Sequence, residues 1–325
     1  MMKISKVILV TMVALLAVSV AACGKKGSLK RNSTIMGTGS QLGVYYSAGL
    51  GIADINNEYG DGIKVAIDAT EGSIYNIAAL GMGEIDLAIA QADHFYHAVE
   101  GRKFWKGDPQ KNLRFVCSLH TEAITVITSE DSNIEELSDL RYKRVNIGTP
   151  LSGTRQNAID VLNILGIDEK IDITAEGDTP DVAAVMLKEG TIDALFFTAG
   201  HPNAFISEAL SGEKIMRFVE MEGLDKMLKA FPYYAPTMIS MSHYPQASNE
   251  DDIETIGVLA VVLANADTDE DAVYEITKAL FENLTEFKAK HPSFVDITKP
   301  GMLEGNFSDI HPGAMRYYEE MGLLD

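Results

Sequence analysis

Apolar residues follow two alternating rhythms along this chain. Residues 35–36 are a short apolar run, residues 37–43 a Gly/Ser-rich step, and residues 44–55 repeat their apolar positions at helical spacing. The same order then returns. Residues 64–67 alternate as a strand, Thr70-Glu71-Gly72-Ser73 is a step, and residues 74–80 read as a helix. Residues 85–90 are continuously apolar, the pattern of a strand buried on both faces, and end at Gln91-Ala92-Asp93. A second block follows the apolar stretch 115–118 and a strand at 123–128. It predicts strands at 144–147, 171–174 and 192–197, with helices at 155–165 and 180–187; Gly166 stops the first of these helices. The tail adds a strand at 255–263, a helix at 269–288 and a shorter one at 314–321. Strands alternating with helices predict an α/β fold whose parallel sheets are covered on both faces.

The two blocks echo each other. Leu80-Gly81-Met82-Gly83-Glu84-Ile85-Asp86 parallels Leu187-Lys188-Glu189-Gly190-Thr191-Ile192-Asp193. The echo is short, but it predicts two lobes built on one βα scheme.

The N-terminal pattern is different. Lys3 and Lys6 precede an apolar run at 7–20 that ends at Ala21-Ala22-Cys23-Gly24. A positive start, a short apolar core and small residues before a cut site describe a secretory signal, and the run is too short to span a membrane. Val20-Ala21-Ala22-Cys23 also resembles a bacterial lipobox, with cleavage before Cys23 and lipid on its sulfur. The reading is a signal peptide at 1–22 and a lipid-anchored tether at 23–32, with Lys25 and Lys26 near anionic headgroups. The protein is then expected outside the cytoplasm, anchored to the cell membrane.

Composition is that of a globular protein, and 27 basic against 47 acidic residues give a net charge of −20. That balance argues against nucleic acid as a partner. The other cysteine, Cys117, lies in an apolar stretch and has no partner once Cys23 is lipidated, so no disulfide frame and no cysteine metal site is expected.

Three Gly/Ser steps stand at strand-to-helix junctions: Gly39-Ser40, Gly72-Ser73 and Ser152-Gly153-Thr154. Ligands of open α/β sheets bind outside the carboxyl ends of the strands, where helix N-termini offer unpaired N–H groups. Several such ends facing one cleft would hold an anion without any arginine. The competing reading is that each Ser or Thr is only a helix cap. A dinucleotide site is excluded by spacing, because residues 37–43 run G-x-G-x-x-x-G, and no Lys-Ser or Lys-Thr follows a glycine run. Asp267, Asp269 and Asp271 imitate a calcium loop, but Ala272 and Lys278 stand where it needs glycine and glutamate. His94 and His97 lie at i, i+3 with no evident third ligand, so no metal and no cofactor is expected. No G-x-S-x-G elbow occurs. His311-Pro312-Gly313-Ala314 reads as a turn that caps the last helix.

Taken together, these motifs resemble the TAXI group of solute-binding proteins, which serve TRAP (tripartite ATP-independent periplasmic) transporters. Gly37-Thr38-Gly39-Ser40 with Gly43-Val44-Tyr45-Tyr46 resembles the group's first motif. In the group's order follow Gly72-Ser73 with Asn76-Ile77 and Leu80, Gly83-Glu84-Ile85-Asp86-Leu87-Ala88, Gln91-Ala92-Asp93, Ser152-Gly153-Thr154, Gly190-Thr191-Ile192-Asp193-Ala194, Pro232-Tyr233-Tyr234, and His311-Pro312-Gly313-Ala314 with Tyr317-Tyr318 and Gly322. These span nearly the whole mature chain. Ser47 stands where many relatives have proline after the paired tyrosines.

The resemblance implies a two-lobed type II periplasmic-binding-protein fold with the ligand cleft between lobes. The first lobe would take 33–118, the second 119–232, and 233–325 would return to the first with C-terminal helices. It implies capture of a small anionic organic acid or acidic amino acid, glutamate- or 2-oxoglutarate-like, for delivery to TRAP membrane subunits. It implies no catalysis and a monomer. The expected ligand-binding residues are Gly39, Ser40, Tyr45, Gly72, Ser73, Asn76, Gln91, Ser152, Gly153, Thr154, Thr198 and Tyr234. The alternatives are a receptor of an ABC transporter or sensory system, and, from another class, an exported hydrolase.

Overall fold

The structure, a computed structural model, describes residues 33–221 and 223–324. The expected signal segment and Cys23 lie outside the described residues. Among those described, no helix is long and apolar enough to cross a membrane.

The chain runs β1 (Ser33–Gly37), α1 (Val44–Tyr59), β2 (Lys64–Asp68), α2 (Ser73–Met82), β3 (Leu87–Gln91), α3 (Ala92–Val99) and β4 (Leu113–Ser129). There follow β5 (Arg144–Asn146), α4 (Gly153–Ile164), β6 (Thr174–Glu176), α5 (Pro180–Glu189), β7 (Ala194–Ala199), α6 (Ala204–Ala209), β8 (Met216–Phe218), α7 (Leu224–Ala230), β9 (Ala235–Ile239) and β10 (Ile253–Asn265). Helices α8 (Glu270–Glu282), α9 (Leu284–Lys288) and α10 (Pro312–Glu320) complete it.

The strands join in the order β2-β1-β3-β10-β4-β7-β5-β6, with β8 added beside β4 and β9 beside β10. Two halves with one plan are visible in that order: 2-1-3-10-4 and 6-5-7-4-8. Strand β4 serves both. Its residues 113–123 pair with β10, with an irregularity before Thr121, and its residues 123–128 pair with β7. The sheet is therefore mixed, not purely parallel: β1, β2 and β3 are parallel, as are β5, β6 and β7, while β10 and β4 run against their neighbours. The sequence predicts two separate apolar segments at 115–118 and 123–128. They form one strand because each end finds its own partner.

The motif echo has a structural counterpart. Helices α2 and α5 both end on a left-handed glycine, Gly83 at φ 72° and Gly190 at φ 74°. Three residues later Asp86 Oδ2 accepts from Ile35 N and Asp193 Oδ2 from Arg144 N, each at 2.8 Å. In each half the aspartate thus ties the loop after the helix to the neighbouring parallel strand.

Side-chain alternation splits the core between two faces of the sheet. In β3, Leu87 and Ile89 face one core while Ala88 and Ala90 face the other. In β10, Val262 joins the former and Val261 and Leu263 the latter. In β7, Ala194 and Phe196 continue the second core into the second half, and Leu195 faces a third cluster with Leu187 and Ile206. One core therefore runs unbroken beneath both halves.

Two expected elements differ. The strand expected at 171–174 begins at Thr174, because Ile171 is exposed and Asp172 closes a turn onto Asp168. The helix expected at 269–288 breaks at Asn283, whose side-chain amide donates back to Ala279 O. Strands β8 and β9 and helices α6 and α7 were not legible, being short and aperiodic.

Candidate solute-binding cavity

A cavity of about 490 Å³ opens between the halves, lined by strand-to-helix junctions of both. Gly39, Ser40, Tyr45, Gly72, Ser73 and Gln91 line it from the first half, and Ser152, Gly153, Thr154 and Thr198 from the second. These ten expected residues come together. Asn76 and Tyr234 do not reach the lining.

Asn76 is fully buried and holds the first-half loops. Its amide donates to Thr38 O (2.6 Å) and Ile89 O (2.7 Å), and its Oδ1 accepts from the Thr70 hydroxyl (2.6 Å). The loops after β1 and β2 are fixed to β3 by this one side chain. Tyr234 lies in the core that runs beneath both halves, its hydroxyl accepting from Asn157 Nδ2 at 2.8 Å. Asn157 also donates to Asp93 Oδ2 (2.7 Å) and accepts from Gln91 Nε2 (3.1 Å), so a buried polar network joins α4 to the end of β3 and the start of α3. Burial raises the Asp93 carboxyl above its usual range, and the amide of Asn157 opposes that shift.

The helix ends are not alike. Helices α1 and α2 start from Gly43 and Gly72, neither of which forms a side-chain cap bond, and neither helix carries an acid in its first turn. Gly72 sits at φ 105°, ψ −153°, a conformation open essentially to glycine alone. By contrast α6 is capped by Asn203 Oδ1 and α8 by Asp269. The first-turn N–H groups of α1 and α2 thus lack the usual side-chain acceptor where the cavity lies. At α4 the cap reading holds for Ser152. Its hydroxyl donates to Thr149 O (2.8 Å) and accepts from Arg155 N (3.3 Å). Ser73 Oγ instead accepts from Gln91 N (3.1 Å) and its hydroxyl interacts with the Tyr45 phenol, while Thr154 Oγ1 accepts from Thr198 N (3.2 Å), which leaves the Thr154 hydroxyl hydrogen for another acceptor.

The halves also approach closely at Gly153. A Cβ there would lie 1.7 Å from Gln91 Oε1. Any side chain at position 153 would have to displace the Gln91 amide.

The sequence reading missed Glu122. It is 4% exposed, lines the cavity, and accepts from the Tyr45 hydroxyl at 2.5 Å. Burial pushes its carboxyl up to about 8 and raises the Tyr45 phenol further, so both are uncharged near neutrality. A lone glutamate inside the apolar run of β4 is the signal that could have marked it. Thr70, Asn146, Phe197, Asn203 and Phe205 were missed as well. Among the lining residues there is no lysine, arginine or histidine, whereas Glu71, Asp178 and Asp181 join Glu122.

Other expectations find structural roles. His97 Nε2 meets the Tyr233 hydroxyl at 3.0 Å, and burial holds the imidazole down to about 3. His311 Nδ1 accepts from Gly313 N and caps α10. Cys117 is buried, and burial raises its thiol. No cluster of metal-ligating side chains occurs among the described residues.

Two α/β halves on one strand plan, sharing their long strands and enclosing a cavity at their strand-to-helix junctions, define the type II periplasmic-binding-protein fold. The chain belongs to the NMT1-like family, whose model matches residues 36–322. A solved structure from Bordetella bronchiseptica RB50 is similar at 14% identity and a TM-score of 0.56, covering 90% of this chain and 98% of that one. The periplasmic aliphatic sulphonate binding protein SsuA from Escherichia coli matches at 16% identity and a TM-score of 0.45, over 83% of this chain and 80% of that one.

Proposed function

We propose that this protein is an extracytoplasmic solute-binding lipoprotein. It captures a small anionic organic acid or acidic amino acid between its halves and hands it to the membrane subunits of a TRAP transporter. The observation that carries this reading is the pair of helix N-termini without side-chain caps, α1 and α2, at one cavity with Ser73 and Thr154 beside them. Such ends attract negative charge through unpaired N–H groups and the helix dipole. Glu122, protonated near neutrality, does not repel an anion and adds a donor.

The reading includes an anchor at Cys23, no catalytic step and a monomeric receptor. An ABC-type or sensory partner would use the same cavity, so the partner is decided by which membrane protein co-purifies with the ligand-loaded receptor. The solute is tested by thermal unfolding with a panel of carboxylates, amino acids, sugars and amines. A ligand at 100 times its Kd stabilises by about 2.7 kcal/mol. Stabilisation by acids is expected. Stabilisation by sugars or amines alone would refute the anion site.

A further inference from the structure

We infer that the solute is a monoanion with an apolar tail, and that the second half of the cavity is the subsite for that tail. This rests on the anion-site reading above and narrows its class of acid to those with a single carboxylate.

Small polar residues line the cavity from both halves, at the ends of α1 and α2 in the first and at Ser152, Thr154, Thr198 and Asn203 in the second. The second half adds an apolar wall of Ala183, Leu195, Phe197, Phe205 and Ile206. Phe197 and Phe205 stand edge to face, with centroids 5.9 Å apart and planes at 89°. Strand β7 and helices α5 and α6 hold this wall, and Ala183, Leu195 and Ile206 are buried in the cluster behind it. It is part of the packed fold.

Charge points the same way. No cationic side chain lines the cavity, and Glu71, Asp178 and Asp181 lie on its rim or wall. Ile74 N already donates to Leu151 O (3.3 Å), and the remaining first-turn N–H groups of α1 and α2 are the donors offered to one carboxylate. A second carboxylate would leave water for an apolar wall or for the neighbourhood of acids, and desolvating an unpaired charge is costly. The unpaired buried polar atoms of this wall, Thr198 Oγ1 and Asn203 Nδ2, belong to neutral groups. They suit a hydroxyl or keto oxygen. An apolar tail instead gains by leaving water, and one methylene in a fitted pocket discriminates by roughly tenfold or more.

The test is calorimetric titration of the purified protein with four 2-oxo acids that share a head: pyruvate, 2-oxoglutarate, 4-methyl-2-oxopentanoate and phenylpyruvate. The two tailed acids are expected to bind at least tenfold more tightly than pyruvate and 2-oxoglutarate. Phe197→Arg, which places a cation on the half-buried edge of the wall, is expected to turn the preference toward 2-oxoglutarate. Should that variant fail to fold, the wild-type order decides alone. Tighter binding of 2-oxoglutarate, or equal binding of pyruvate and the tailed acids, overturns the tail subsite and leaves the anion site standing. Binding of none of the four, with stabilisation by amines or sugars, overturns both.

Discussion

The Tyr45 hydroxyl donates to Glu122 Oε1 across 2.5 Å, from the first turn of α1 to the middle of β4. The bond spans the cavity wall where β4 passes from one half to the other. Opposite it, β10 changes register between Leu259 and Val261. A buried acid, a phenol and an irregular strand pair thus coincide at the crossing.

Glu122 makes stability depend on pH in a stated direction. Its carboxyl titrates near 8 in the folded chain against 4.5 as the ordinary value, so the folded state holds the proton over that window and the unfolded state does not. Stability is then highest below about 4.5 with respect to this group and falls as pH rises toward 8. Glu122→Gln keeps an oxygen for Tyr45 and removes the titration. Urea unfolding at pH 5 and pH 8 is expected to show a smaller loss for the variant than for the wild type. Equal losses would exclude a raised carboxyl.

Gly153→Ala is expected to destabilise by about 1–3 kcal/mol, the range for forcing a methyl group into a packed site. The obstacle is Gln91 Oε1, held by the Gln91 Nε2 bond to Asn157. Gln91→Ala in the same chain makes room, so the double variant should lose less than the sum of the singles. Strict additivity in thermal unfolding would show that Gly153 is needed for something other than space.

The hydroxyls divide by their bonding. Ser152→Ala removes a cap and should cost about 1 kcal/mol of stability with affinity changed less than twofold. Ser73→Ala and Thr154→Val remove cavity hydroxyls that cap no helix and should weaken an anionic solute about tenfold, since a bond to a charged group is worth roughly 1.5–3 kcal/mol. Calorimetry on the three variants separates the roles. An affinity loss confined to Ser152→Ala would reverse the assignment.

We propose that ligand closes the halves by rotation at residues 119–122 of β4 and 257–259 of β10. The strands there change partners, and Gly257 is packed so closely that a Cβ would meet Thr121 at 2.5 Å. Small-angle scattering should show a smaller radius of gyration with a confirmed solute. Gly257→Val should alter it in both states. A radius unchanged by solute would rule out closure.

The periodicities along the chain were enough to read the α/β class and most helices and strands, because a helical stripe and a buried strand each leave a local pattern. The Gly83 and Gly190 echo was enough to suggest two similar halves, since each glycine must turn left-handed at a helix end. Ten of the twelve expected site residues share the cavity, because they stand at strand-to-helix junctions that parallel strands bring to one side. The sequence could not say which junction residues face solute. Asn76 and Tyr234 sit in motifs of the same kind, yet tertiary packing turns one into a loop clamp and the other into core. Nor could it assign Ser152 to capping, because a free hydroxyl and a committed one are spelled alike. Glu122 and the Phe197–Phe205 wall depend on which distant strands and helices meet. A glutamate's charge is decided by its burial among them, and no local pattern encodes that burial.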